Sequence, residues 1–282
     1  MSALLLALAL SSAPAAALAA EEHIREVPVA VYTKKEAPVD DLTAEEVEIK
    51  EDGKKRIVIK VERDQRPLDV ALILDSSEHM SGEYRATLVP AAMAFWRALP
   101  PEARLTIWTA GGKVSHVVEF GVEPEAAEPV LQSLAVGGPI FALDTMIDAS
   151  RHLQKERAKR RVVVIVTKSS IQANKTLIDR TYRVIAQTRV TPMIVLVKAV
   201  VNVGQRWDTE TIFEQMANGY GGSYDLALTP QASHKWLLRA AADITSQYLV
   251  RYESVAEKPG RPEVKVKRKG VRVRAGLSQI AN

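Results

Sequence analysis

Four short apolar runs punctuate the middle of the chain, at residues 70–74, 105–108, 162–166 and 193–197. Each is nearly continuous and rich in β-branched residues, the pattern of parallel strands buried on both faces. Between them apolar positions recur at helical spacing. Leu177, Ile178, Tyr182, Ile185 and Ala186 form one stripe, with Asn174 as its N-cap. Trp236, Leu237, Ala240, Ala241 and Ile244 form another, behind a Thr229-Pro230 start that puts proline at the first helical position. Repeated strand–helix units across residues 68–250 predict an α/β fold: a doubly wound, mostly parallel sheet flanked by helices.

At both ends the period changes to two. Val27, Val29 and Val31 alternate with other residues, as do Val47 and Ile49. Pro28 sits inside the first run, which predicts an edge strand. Asp52-Gly53 is a hairpin signal, with residues 56–61 as the return strand. Residues 247–252 read as a further strand and Pro259-Gly260 as a turn. Residues 264–267 and 271–274 alternate valine with lysine or arginine around Lys269-Gly270, which predicts a hairpin with one apolar and one basic face. The expected organisation is a domain at residues 68–250 carrying a small β annex, built from residues 22–67 and 251–277. Residues 1–19 hold no charged side chain. A short apolar run leads to Ala17-Leu18-Ala19, a small-x-small cleavage pattern. They predict a signal peptide and a secreted or periplasmic protein with no transmembrane span.

Composition removes several classes of chemistry. The chain of 282 residues has no cysteine, so disulfides, thiol nucleophiles and thiolate-bound zinc are excluded. A formal charge of +4 gives no general case for nucleic acid. The positive charge gathers in residues 251–282, which hold nine basic and three acidic residues. That segment suits either an anionic envelope surface or an edge protected from aggregation by charge. No G-x-G-x-x-G or P-loop pattern is present, and the five histidines, His23, His79, His116, His152 and His234, form no i,i+4 pair. They read as isolated residues, and no cofactor is expected.

The stretch that concentrates chemistry is ILDSSEHM, residues 73–80, where an apolar strand runs into Asp75, Ser76, Ser77, Glu78 and His79. Ligands of doubly wound sheets bind at such carboxyl ends. Here the chain resembles the von Willebrand factor A domain, whose metal-ion-dependent adhesion site opens with Asp-x-Ser-x-Ser. A threonine from a later loop and an aspartate after the fourth strand complete that site. DLTAEEVEIKEDGKKRIVIKVER, GGPIFALDTMIDA, GGSYDL and VKVKRKGVRVRAGL are similar to an exported bacterial subfamily of such proteins, known from Acidobacteria. The resemblance implies a non-enzymatic interaction module that holds its partner at this site, usually through Mg²⁺.

Residue by residue the site departs from that pattern. Asp75 and Ser77 match, His79 replaces the second serine, Ile140 aligns with the threonine, and Lys168 aligns with the late aspartate. Thr145 lies nearby, inside an expected helix. A lysine about 4 Å from Mg²⁺ would repel it by several kcal/mol even at an effective dielectric near 20. The expectation is a degenerate, metal-free site in which Lys168 pairs with Asp75. Two alternatives stand beside it. In one, Lys168 faces solvent and backbone N–H groups hold Asp75. In the other, metal is retained through Asp75, Ser77 and His79. A catalytic reading of Asp75, Ser77 and His79 fails because triad groups converge from separate segments. The functional expectation is an unidentified protein partner at Asp75, Ser77, His79, Ile140 and Lys168. The alternatives are envelope anchoring through the basic hairpin and metal-dependent adhesion through an atypical site.

Overall fold

The computed structural model describes residues 23–168, 174–198, 203–255 and 260–281. The expected signal segment, Lys258 and Pro259 lie outside the described residues. Four strands come first: β1 (His23–Thr33), β2 (Val47–Glu51), β3 (Lys54–Arg56) and β4 (Val58–Arg63). Asp52 and Gly53 both take positive φ, 52° and 76°, as the tight β2–β3 turn requires. The α/β region follows, with β5 (Leu68–Leu74), α1 (Val89–Arg97), β6 (Arg104–Thr109) and β7 (Ser115–Val118). It continues through α2 (Pro124–Ser133), α3 (Ala142–Lys155), β8 (Arg160–Lys168), α4 (Lys175–Thr188) and β9 (Thr191–Val197). After α5 (Val203–Gly219), β10 (Ser223–Ala227) and α6 (Ala232–Thr245), the chain closes with β11 (Tyr248–Ser254), β12 (Glu263–Val266), β13 (Val271–Ala275) and β14 (Gln279–Ile280).

The four apolar runs are β5, β6, β8 and β9, inside a six-stranded sheet of order β10-β9-β8-β5-β6-β7. Alternation explains the near-continuous hydrophobicity. Val70, Leu72 and Leu74 enter the core shared with α1, α2 and α6, while Ala71 and Ile73 enter the one shared with α3, α4 and α5. Asp69 is the polar exception on β5; it is buried, and Arg104 of the neighbouring strand donates to both its oxygens at 2.8 and 2.6 Å. Asn174 caps α4 by accepting the Leu177 N–H at 2.9 Å. Helix α6 begins two residues beyond Pro230, after a turn in which Ala232 N–H bonds to Thr229.

The expectation of a mostly parallel sheet is overturned. Parallel pairing is confined to the ladders joining β10, β9, β8, β5 and β6; β7 is antiparallel, and so is every ladder of the other two sheets. Antiparallel ladders therefore outnumber parallel ones among the described residues. The two further sheets are β13-β1-β11-β4, with β14 also on β1, and β12-β2-β3. Between them lies a third core of Val27, Val29, Val31, Val47, Ile49, Tyr248, Val250 and Tyr252. The chain ends thus make a substantial two-sheet layer.

Two local expectations fail for physical reasons. Residues 264–274 do not form a hairpin: β12 pairs with β2 and β13 with β1, so the two runs belong to different sheets. Strand β1 is interior, not an edge. Pro28 is tolerated because β1 changes partners there, from β14 at Arg25 and Glu26 to β13 from Val29 onward, and the missing N–H falls in the gap. Its carbonyl still accepts the Gly276 N–H at 2.9 Å.

Candidate functional site

Strand β5 ends at Leu74, and the next residue, Asp75, is held at the carboxyl edge of the central sheet. Its backbone N–H bonds to Val166 of β8 at 3.0 Å. The side chain is buried at 1% exposure. One carboxylate oxygen accepts the Ser77 N–H at 2.9 Å; the other accepts the Lys168 N–H at 2.9 Å and the Thr167 hydroxyl at 3.1 Å. Hydrogen bonding, not a counter-ion, satisfies this buried anion. The expected ion pair does not form: Lys168 Nζ instead donates to the His79 carbonyl at 2.9 Å. Lysine and aspartate are neighbours, as expected, but the link runs through the lysine backbone.

The surrounding loops close on this point. Gly111 donates its N–H to Ser76 Oγ at 3.0 Å, Gly137 to the Ser76 carbonyl at 2.8 Å, and Glu78 to the Gly138 carbonyl at 3.0 Å. Gly111 admits no side chain, since a Cβ there would lie 2.1 Å from the Ser76 carbonyl carbon. Ile140 forms an isolated bridge with Gly111 and is partly buried. Asp75, Ser77, His79, Ile140 and Lys168 are thus gathered by the loop after β5, the segment before α3 and the end of β8, with Gly111 of the loop after β6 bridging Ile140. Thr145 is inside α3, buried, with its hydroxyl donating to the Phe141 carbonyl at 2.8 Å.

This set does not fit a hard dication of the Mg²⁺ type. Ser77 Oγ, buried and without a partner among the described residues, is the one feature that would suit an ion. Against it, the only carboxylate brought in by the aligned positions already accepts three donors. Ile140 offers carbon, and a lysine ammonium is tied to the His79 carbonyl on the same loop. Hard cations take carboxylate, carbonyl and hydroxyl oxygens.

A second cluster was not legible as a motif. His116 on β7, Glu119 just beyond it and His152 on α3 bring ligand atoms within 4.8 Å of one another. His116 stacks on Trp108 with centroids 4.2 Å apart and planes 2° from parallel. Burial lowers the His116 pKa, opposed by the Glu119 carboxylate. The expectation that the histidines stand singly is corrected for these two. Their separation of 36 residues matches no short-spacing pattern; only the return of α3 beneath the β6–β7 edge joins them.

The basic C-terminal segment is largely paired within the fold. Arg251 meets Glu26 and Glu62, Arg268 meets Asp41 and Glu46, Arg274 meets Asp243, and Lys265 meets Glu263. Among the described residues no helix is long and apolar enough to cross a membrane.

Comparison with known proteins agrees with this architecture. Residues 68–226 match the model of the von Willebrand factor type A domain. Among solved structures, a von Willebrand factor type A protein from Catenulispora acidiphila superposes with a TM-score of 0.54 at 9% identity, covering 92% of this chain and 74% of that one. The SpRpn10 VWA domain superposes with a TM-score of 0.50 at 17% identity, covering 60% of this chain and 93% of its own. At such identities the likeness shows the fold alone. No curated protein sequence matches. With more than half its length matched by the family model, the chain belongs to the von Willebrand factor type A domain family and is a non-enzymatic interaction module.

Proposed function

We propose that this chain binds a protein partner at its strand-end loops, through Lys168, His79 and the loop carrying Ile140, without an ion seated on Asp75. The observation that supports this most is the position of the Lys168 ammonium. It spends one donor on the His79 carbonyl and keeps two of its three for a partner. A partner carboxylate there would meet a cation held against the loop that carries His79. Internal pairing of Arg251, Arg268 and Arg274 argues against envelope anchoring as the main role. The alternative of metal-linked adhesion through an atypical site gains support from His116, Glu119 and His152, away from Asp75. The pattern of residues 1–19 supports export to the periplasm or medium, and N-terminal sequencing of the product tests it.

The test of the main reading is affinity capture on immobilised protein, comparing wild type with Lys168→Glu and with added Mg²⁺. Capture that is abolished by the substitution and indifferent to Mg²⁺ supports it. Capture that survives Lys168→Glu, or that requires Mg²⁺, overturns it.

A further inference from the structure

We propose that His116, Glu119 and His152 form a binding site for one divalent transition-metal ion of the zinc class, which fastens the edge strand β7 to helix α3. The argument starts from Thr106. Its hydroxyl has one proton and donates it to the Val118 carbonyl at 2.7 Å. The same oxygen lies in hydrogen-bond contact with His116 Nε2, so it accepts from Nε2–H. That leaves Nδ1 as the nitrogen facing Glu119, with Nδ1 and Oε1 3.1 Å apart. Two lone-pair bearers do not sit at that distance without a cation between them, either a proton or a metal. The position of a third group, His152, bears on which of the two it is.

His152 supplies the second observation. Its Nε2 is buried and has no hydrogen-bond partner among the described residues. An unpaired buried nitrogen is a cost that coordination would remove. Zinc bonds of about 2.0–2.2 Å place two ligands of a tetrahedral ion roughly 3.3 Å apart. The His116–Glu119 separation already fits. The widest separation, within 4.8 Å, has to close by at most roughly 1.5 Å, through a shift of the His152 ring among Trp108, His116 and Phe120. Two imidazoles and a carboxylate suit zinc, nickel or cobalt and are a poor match to Mg²⁺. The Thr106 hydroxyl on Nε2 and the Trp108 stack fix the His116 ring, as outer contacts of metal-bound histidines do. Glu119 is exposed, so the fourth position opens to solvent and takes a water.

The site is independent of the strand-end reading, and its test is metal binding by the full chain after chelator treatment. Equilibrium dialysis against ZnCl2 is expected to return one ion per chain. CoCl2 is expected to give the visible absorption of a four-coordinate ion, and Zn²⁺, not Mg²⁺, is expected to raise Tm. His152→Ala and Glu119→Gln are each expected to weaken Zn²⁺ binding at least tenfold, with far-UV circular dichroism confirming the fold. Because Glu119 is at the surface, Glu119→Gln tests the site even where His152→Ala is unstable. Lys168→Ala is expected to bind Zn²⁺ as wild type does. No Zn²⁺ retained at micromolar free metal overturns the proposal. So does unchanged binding in Glu119→Gln, which would place the ion on other histidines.

Discussion

Asp75 and Lys168 are adjacent, yet their contributions to stability are expected to differ widely. Asp75→Ala leaves the Ser77 and Lys168 N–H groups and the Thr167 hydroxyl without their acceptor in a buried place. Each buried group so orphaned costs about 1–3 kcal/mol, partly relieved by water, so a loss of about 3 kcal/mol is expected in urea denaturation. Lys168→Ala removes one exposed hydrogen bond and is expected to cost under about 1 kcal/mol. Equal losses would mean that the ammonium does carry the aspartate. A titrating residue gives a further test. Burial pushes the Asp225 carboxyl up to about 6, against the opposing pull of Arg239 3.2 Å away. The folded state then keeps a proton that the unfolded state loses near pH 4. The contribution therefore favours folding at low pH and is lost as pH rises through 6. Asp225→Asn is expected to gain stability relative to wild type between pH 4 and pH 7; a constant difference across that window would contradict the assignment. The sequence pointed to these strand-end positions because their residue types depart from a known pattern. It did not reveal that Lys168 reaches Asp75 through its N–H, since a backbone donor leaves no mark in residue identity.

Elements were legible where burial on both faces forces a continuous apolar run, as in β5, β8 and β9. They were misread where a strand is half-exposed. The Val-Lys alternation of residues 264–274 identifies strands but is silent about their partners, and the short turn at Lys269-Gly270 suggested that they pair with each other. Their true partners, β2 and β1, lie more than 200 residues away. The loop after β6 shows how one element holds another. Gly111→Ala would drive a methyl into the Ser76–Ser77 backbone, with contacts of 2.1–2.3 Å and no flexible side chain to yield. Overpacking of this kind costs about 1–3 kcal/mol, and the displaced segment carries Asp75 and Ser77. Gly111→Ala is expected to lower Tm and weaken partner capture together, whereas Gly82→Ala, with open space around it, is expected to leave both unchanged.

For the whole molecule, the decisive contacts join the two ends of the described chain. Removing residues 260–282 takes away β12, β13 and β14, uncovers Val29 and Val31 of β1, and strips Asp243 of Arg274. The truncated protein is expected to aggregate on heating and to melt lower, read by light scattering and calorimetry; an unchanged Tm would show that the outer layer is dispensable. Strand β1 also bears on the order of events during folding. It sits between β11 on one side and β13 with β14 on the other, pairing His23 with Ser254. None of those neighbours exists until the far end of the chain has been synthesised. Contacts of such long sequence separation pay their loop-closure entropy before they return any stabilisation, which makes them slow to form. A nascent chain can therefore assemble the central sheet early while β1 waits unpaired, its valines exposed. Capture of β1 by those distant strands is therefore expected late in folding, and until then its exposed apolar face makes the chain prone to aggregate.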